Sequence, residues 1–288
     1  MHLALLLHTG AQISWTQFTV HPSTVIGILG LAGLYEWAAR RFGRSAARDD
    51  SSSRAAEHPG RRFSFYSALA ILFLALNGWL HDLSDYYLFS AHMVQHLLLT
   101  LAVPPLLLAG TPGWMLRPLL SRNYIAPVCR FFTRAPIAFV VFNLTIAVWH
   151  LPPFYNAAMA HHNLHILEHL MFIAAAVLMW WPLLSQLPEL PRLAYPGQML
   201  YSFLMSIPMS IVAVYIAMAD RLLYPAYSAA PRVLPLTPME DQLLGALIMW
   251  IPGGLIFMII MTVVFFKWNA RGEDSTAGAQ VDWKPSAA

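Results

Sequence analysis

Two stretches of the chain repeat one short pattern, His92-Met93-Val94-Gln95-His96-Leu97 and His165-Ile166-Leu167-Glu168-His169-Leu170, each at the start of a long apolar run. Residues four apart share one face of a helix, so each pattern projects two imidazoles the same way. Imidazole is a common metal ligand, it suits copper, zinc and iron alike, and a polar ring in hydrocarbon is costly enough to be read as a site. His81 and His150 add to the set, each closing an apolar run just after a tryptophan, Trp79 or Trp149. The candidate ligands are therefore His81, His92, His96, His150, His165 and His169. Gln95 and Glu168 hold the same position in the two patterns and could orient a ligating imidazole through its second nitrogen. The competing reading of any one of these histidines is polar glue between helices. Matching doublets at one depth are harder to explain that way.

The elements that must carry these residues are membrane helices. The 288 residues are 58% hydrophobic and 11% charged, far below the roughly 25% charged share of soluble domains. Seven runs are long enough to cross a hydrocarbon core of about 30 Å, or nearly so: Pro22–Ala39, Phe63–Leu80, Tyr87–Leu108, Ala135–Trp149, Ile166–Leu184, Gln198–Ala219 and Leu243–Phe266. The expected fold is an all-α, seven-helix membrane bundle over residues 1–268, with a cytoplasmic linker at 40–62 and a disordered cytoplasmic tail at 269–288. Arginines and lysines crowd the connections after runs one and three, with Arg192 after run five and Lys267, Arg271 and Lys284 after run seven, against Arg221 and Arg232 between runs six and seven. Basic residues gather in cytoplasmic loops, which puts the N-terminus outside and the C-terminus inside. The net charge of +3 then reports topology and gives no sign of nucleic-acid binding.

Runs two and three align with runs four and five as a parallel internal repeat, which sets equivalent residues at equal depth. With a span starting near Tyr87, His92 lies about 8 Å and His96 about 14 Å below its start. That depth is the outer leaflet, so the histidines open toward the extracytoplasmic side.

Other groups read more plainly. Asp82 and Asp85 are expected as solvated loop carboxylates, Met93 and Met171 as packing or lipid-facing groups, and His2, His8, His21, His58, His161 and His162 as loop or interfacial residues. Pro104-Pro105 should break or kink its helix. Asp241 and Gln242 suit the N-terminus of the last helix, where acids are favoured. Met1–His8 lacks a basic leader, which argues against a removable signal peptide. One cysteine, Cys129, excludes an intramolecular disulfide or a CxxC clip. No nucleophile elbow, phosphate loop or dinucleotide fingerprint is present, so an enzyme is not expected.

Trp79-Leu80-His81-Asp82, the His92–His96 doublet, Pro104-Pro105 with Gly110-Thr111-Pro112, Trp149-His150-Leu151-Pro152, Glu168-His169, and Met249-Trp250 before Gly253-Gly254 together resemble the CtaG family of cytochrome c oxidase assembly factors, the caa3-associated type. The likeness runs over roughly Ser64 to Phe266. It implies a multi-pass protein of the bacterial inner membrane, partnered by lipid and by the catalytic subunit of a haem–copper oxidase, with a part in forming its copper centre. Copper is the cofactor it suggests, and the six histidines match the family's histidine positions. Two alternatives remain from the residues: an electron-transfer protein with b-type haem between the doublets, or a scaffold or transporter whose histidines pack.

Overall fold

Among the residues that the computed structural model describes, 18–49 and 59–281, every regular element is helical. In chain order these are α1 (Pro22–Asp49), α2 (Pro59–Ala75), α3 (Gly78–Tyr86), α4 (Phe89–Gly110), α5 (Gly113–Leu120), α6 (Ile125–Phe132), α7 (Ala135–His150), α8 (Pro152–Ala160), α9 (His162–Leu184), α10 (Tyr195–Ala217) and α11 (Pro238–Val281). Proline opens α1, α2, α8 and α11, where its missing N–H would lack an intrahelical partner anyway. α1 and α11 continue as helix into segments expected to be linker and tail; residues 50–58 and 282–288, with His2, His8 and His58, lie outside the described residues.

Among the described residues, four helices, α4, α9, α10 and α11, are long and apolar enough to cross a membrane by themselves, or up to six if two bent pairs each count as one span. α2 and α3 meet at 45°, and α6 and α7 at 73°. The sixteen residues of α7 rise only about 24 Å, which is why its partner matters. α1 is not among these spans; its second half carries Glu36, Arg40 and Arg41.

One sequence expectation changes and another is narrowed. The second run does not pass straight from Phe63 to Leu80. Asn77 is extended and Gly78 sits at φ +64, a backbone region glycine enters without steric cost, so His81 belongs to α3 beyond the bend. Of the two outcomes expected at the proline pair, a break or a kink, the break does not occur. α4 widens into a π-turn over Leu98–Ala102 directly before Val103. The carbonyl of Thr100 then faces Pro104 at i+4 and Pro105 at i+5, neither with an N–H, and the indole of Trp180 on α9 donates to it at 2.9 Å. The Thr100 hydroxyl donates to the His96 carbonyl at 2.7 Å.

Without a hydrophobic drive between helices in lipid, close packing and interhelical hydrogen bonds hold a bundle together. The main core joins α4, α7, α9, α10 and α11 around Phe142, Phe172, Met179, Met205 and Phe257. α1 leans on α2 through the stacked Tyr35 and Phe65 rings, 4.0 Å apart, and turns Ile26, Leu29, Leu34 and Trp37 outward. Arg117 pairs with Glu189 at 3.3 Å, and Arg61 bonds Gln186. These contacts gather the connections after runs one, three and five at one end. The histidines stand toward the other end.

Candidate metal centre

The first doublet stands on the opening turns of α4, and that turn is held from outside the helix. The carboxylate of Asp241 on α11 is fully buried; it accepts the backbone N–H of Phe89 at 2.7 Å and of Ser90 at 3.2 Å, and also the Ser90 hydroxyl. Two of the orphan donors of a helix start are thereby satisfied by another helix. The sequence expectation had Asp241 serving its own helix. That task falls to Thr237 and Glu240, which bond each other reciprocally as a capping box. Gln242 ties the preceding loop instead, accepting from the Leu223 N–H at 2.7 Å. Gly245 lets α11 approach so closely that any Cβ there would collide with the Phe89 ring.

Held this way, His92 and His96 project into the core with ring centroids 4.1 Å apart. His92 is wholly buried and His96 nearly so, and none of their four ring nitrogens has a hydrogen-bond partner. Both carboxylate oxygens of Glu168, 1% exposed on α9, are likewise buried and make no hydrogen bond. His96 Nε2 lies 3.9 Å from Glu168 Oε1, and His92, His96 and Glu168 each offer a ligand atom within 4.8 Å of the others. Buried polar groups are nearly always bonded, and an unpaired carboxylate in such surroundings is costly. A cation among these three residues would satisfy them together. Glu168 thus faces the site as a donor in its own right, where the sequence suggested an orienting group.

The second doublet, on α9, meets the first from the side. His92, His165 and His169 form a second group whose donor atoms also lie within 4.8 Å, with the His92 and His165 rings stacked at 5.4 Å. His165 Nε2 and His169 Nε2 are 3.1 Å apart. Asp85 was expected in a solvated loop, but its side chain is only 10% exposed, and Oδ2 stands 3.5 Å from both His165 Nδ1 and His81 Nε2. The turn of α3 after Gly78 folds it inward. A carboxylate behind one imidazole nitrogen leaves the other as the metal-facing one, which for His165 is the nitrogen facing His169.

His81 is close by, its ring 6.5 Å from that of His165, yet both of its nitrogens are engaged, Nδ1 by the Gln95 amide at 3.2 Å and Nε2 by Asp85. Gln95 therefore orients His81 and not its own doublet; it also donates to the Ala75 carbonyl and accepts from Ser84. His150 closes the far side, its ring 5.7 Å from His96. Its Nδ1 is 2.8 Å from the Ile146 carbonyl, which assigns the proton to Nδ1 and leaves Nε2 as a buried free acceptor. All six histidines singled out in the sequence thus sit in one region, with His92, His96, His165 and His169 at its centre.

Several participants carried no spacing signal. Tyr155, Tyr224 and Tyr227 are buried beside His92 and Phe89. Tyr227 donates to the Ser84 carbonyl at 2.7 Å, Tyr155 and Tyr227 share a bond of 2.8 Å, and Tyr224 donates to the His150 carbonyl. Buried tyrosine hydroxyls need such partners, and here they lash the site helices to the loop before α11. Met93 is core, and Met171 is largely exposed. His21 and His162, given no role from sequence, line a cleft of about 480 Å³ together with His81, His165 and His169. Its apolar walls include Ile28, Leu72 and Ile173.

The family model for the cytochrome c oxidase caa3 assembly factor matches residues 33–271, and so spans both doublets, His81, His150 and most of α1. Two curated relatives, uncharacterized proteins of Mycobacterium bovis and Mycobacterium tuberculosis, are each 25% identical over 126 residues. That alignment covers 38% of this chain and 19% of each relative, so the chain aligns with about a fifth of the relatives' length. No solved structure matches.

Proposed function

The chain belongs to the Caa3_CtaG family of cytochrome c oxidase assembly factors, and we propose that it serves a haem–copper oxidase by holding copper as cargo in its histidine cluster and delivering it to the catalytic subunit. The observation that carries this reading is the set of buried donors without hydrogen bonds on His92, His96 and Glu168, which face one another across α4 and α9. Imidazole with one carboxylate fits a copper ion, and a site with few ligands and an open position lets go of its metal more readily than a closed cage.

In this reading the protein has seven spans in the bacterial inner membrane, α1 being the first, with the N-terminus outside and the C-terminus inside. The histidine end then faces the extracytoplasmic side. The gathering of the basic connections at the opposite end supports that orientation. The b-type haem alternative is disfavoured by packing, because across α4 and α9 the His92 and His165 ring centroids are 5.4 Å apart, those of His96 and His169 5.5 Å, and those of His96 and Phe172 4.6 Å. A porphyrin plane between α4 and α9 would require the helices to part. The test is metal analysis of purified protein together with oxidase maturation in cells. Wild type should carry copper, and His92→Ala with His96→Ala should lose both the copper and the maturation. Normal copper content in the double variant would end this reading.

A further inference from the structure

The two groups of donors share one residue. His92 belongs both to the group with His165 and His169 and to the group with His96 and Glu168, and both of its ring nitrogens are free of hydrogen bonds. The cleft distinguishes the groups: it is lined by His165 and His169, and by neither His92, His96 nor Glu168. One group borders open space and the other is sealed behind it. We infer that the cluster is two overlapping stations, a cleft-side triad of His92, His165 and His169 and a core triad of His92, His96 and Glu168, and that copper loads at the first and is held at the second. This rests on the copper-cargo reading above and adds to it a route and an order.

The chemistry of the two triads differs in the way a hand-over requires. The cleft-side triad is all imidazole, approached from the cleft past His21 and His162, with Asp85 behind His165. The core triad exchanges two imidazoles for His96 and the Glu168 carboxylate. Passage from one to the other is ligand substitution: the bonds to His165 and His169 break as those to His96 and Glu168 form, and His92 stays attached throughout. No electron moves. A Cu(I) ion arriving in the core meets one carboxylate, which cancels its single charge where burial makes uncancelled charge expensive. Two metal–nitrogen bonds of about 2.1 Å span at most ~4.2 Å, so the rings need close in only slightly from their present separations.

The experiment loads the purified full chain with Cu(I) supplied as its bicinchoninate complex, follows uptake with time, and counts imidazole ligands by X-ray absorption at early and late times. Wild type should show three imidazoles early and two late. His169→Ala should slow uptake roughly 10–100-fold, the scale on which perturbing a metal site's supporting groups acts, yet reach the same final load with two imidazoles. Glu168→Gln should take up copper at the wild-type rate, keep three imidazoles throughout, and release the ion faster to added chelator. Equal loss of copper in both variants, or one unchanging imidazole count in wild type at all times, would overturn the two-station arrangement while leaving the cargo reading intact. Failure of wild type to bind copper at all would overturn both. The wild-type time course stands even where a variant folds poorly.

Discussion

The two doublets have the same spacing and opposite surroundings. His92 and His96 sit on a helix start clamped by a buried carboxylate from α11, with four ring nitrogens left unbonded. His165 and His169 begin a helix whose N-cap, His161, makes no side-chain cap bond; their rings are bonded to each other and backed by Asp85, and they border a cleft. The rigid member of the pair makes no hydrogen bond through its nitrogens, and in the accessible member both nitrogens of His165 and Nε2 of His169 face neighbours. A repeated motif therefore need not mean a repeated role.

The sharpest way to break this comparison is to remove the residue common to both triads. His92→Ala should abolish copper retention outright, whereas His165→Ala should leave a measurable load in the core triad; metal analysis after chelator washing tells them apart. Equal losses would make the doublets equivalent. Next in size is the clamp. Asp241→Ala leaves the N–H groups of Phe89 and Ser90 buried without acceptors, at a cost of about 1–3 kcal/mol for such groups, read as a lowered melting temperature in detergent. A change at the start of α9, such as the exposed Asn163→Ala, should fall within about 0.5 kcal/mol.

Much of this was legible in the residues. The six histidines stand out because an imidazole in an apolar run is an expensive exception, and each apolar run falls on helix, although the second is broken at Asn77-Gly78 and the first and last helices run well past their apolar runs. What periodicity does not carry is partnership across helices. Asp85 follows an apolar run and reads as loop, because the left-handed turn at Gly78 that swings α3 inward is invisible in composition. Asp241 sits where a helix start wants an acid, and only the approach of α11 to α4 through Gly245 shows which helix it serves. Pro104-Pro105 announces a defect in the helix; the π-turn and the indole that repair it come from packing. The tyrosines, and the cleft assembled from α1, α2, α3, α4 and α9, have no local signature at all.

A smaller effect sharpens the contrast on the accessible side. In Asp85→Asn the side chain keeps its size but loses the charge that faces His165 Nδ1 and His81 Nε2. The rate of copper uptake from its bicinchoninate complex should fall about tenfold, the lower end of what orienting partners contribute, with the final load unchanged and the fold intact by circular dichroism. An unchanged uptake rate would reduce Asp85 to a packing group and leave the second doublet without an oriented ligand.

A further modest change concerns a bond that couples the two doublet-bearing helices below the site. Trp180 on α9 donates to Thr100 on α4, and that carbonyl can find no donor within its own helix, because the residues four and five positions on are both proline. Trp180→Phe preserves much of the ring and removes the N–H. The expected loss is about 1 kcal/mol, the ordinary net worth of a hydrogen bond, seen as a modest drop in melting temperature. Thr100 also holds the His96 carbonyl through its hydroxyl, so a shift of the π-turn should reach His96 before it reaches His165. Release of copper from the core triad should therefore quicken while uptake from the cleft stays at its wild-type rate. Equal changes in uptake and release would mean that α4 and α9 move as one body, and that the difference between the doublets lies in access alone.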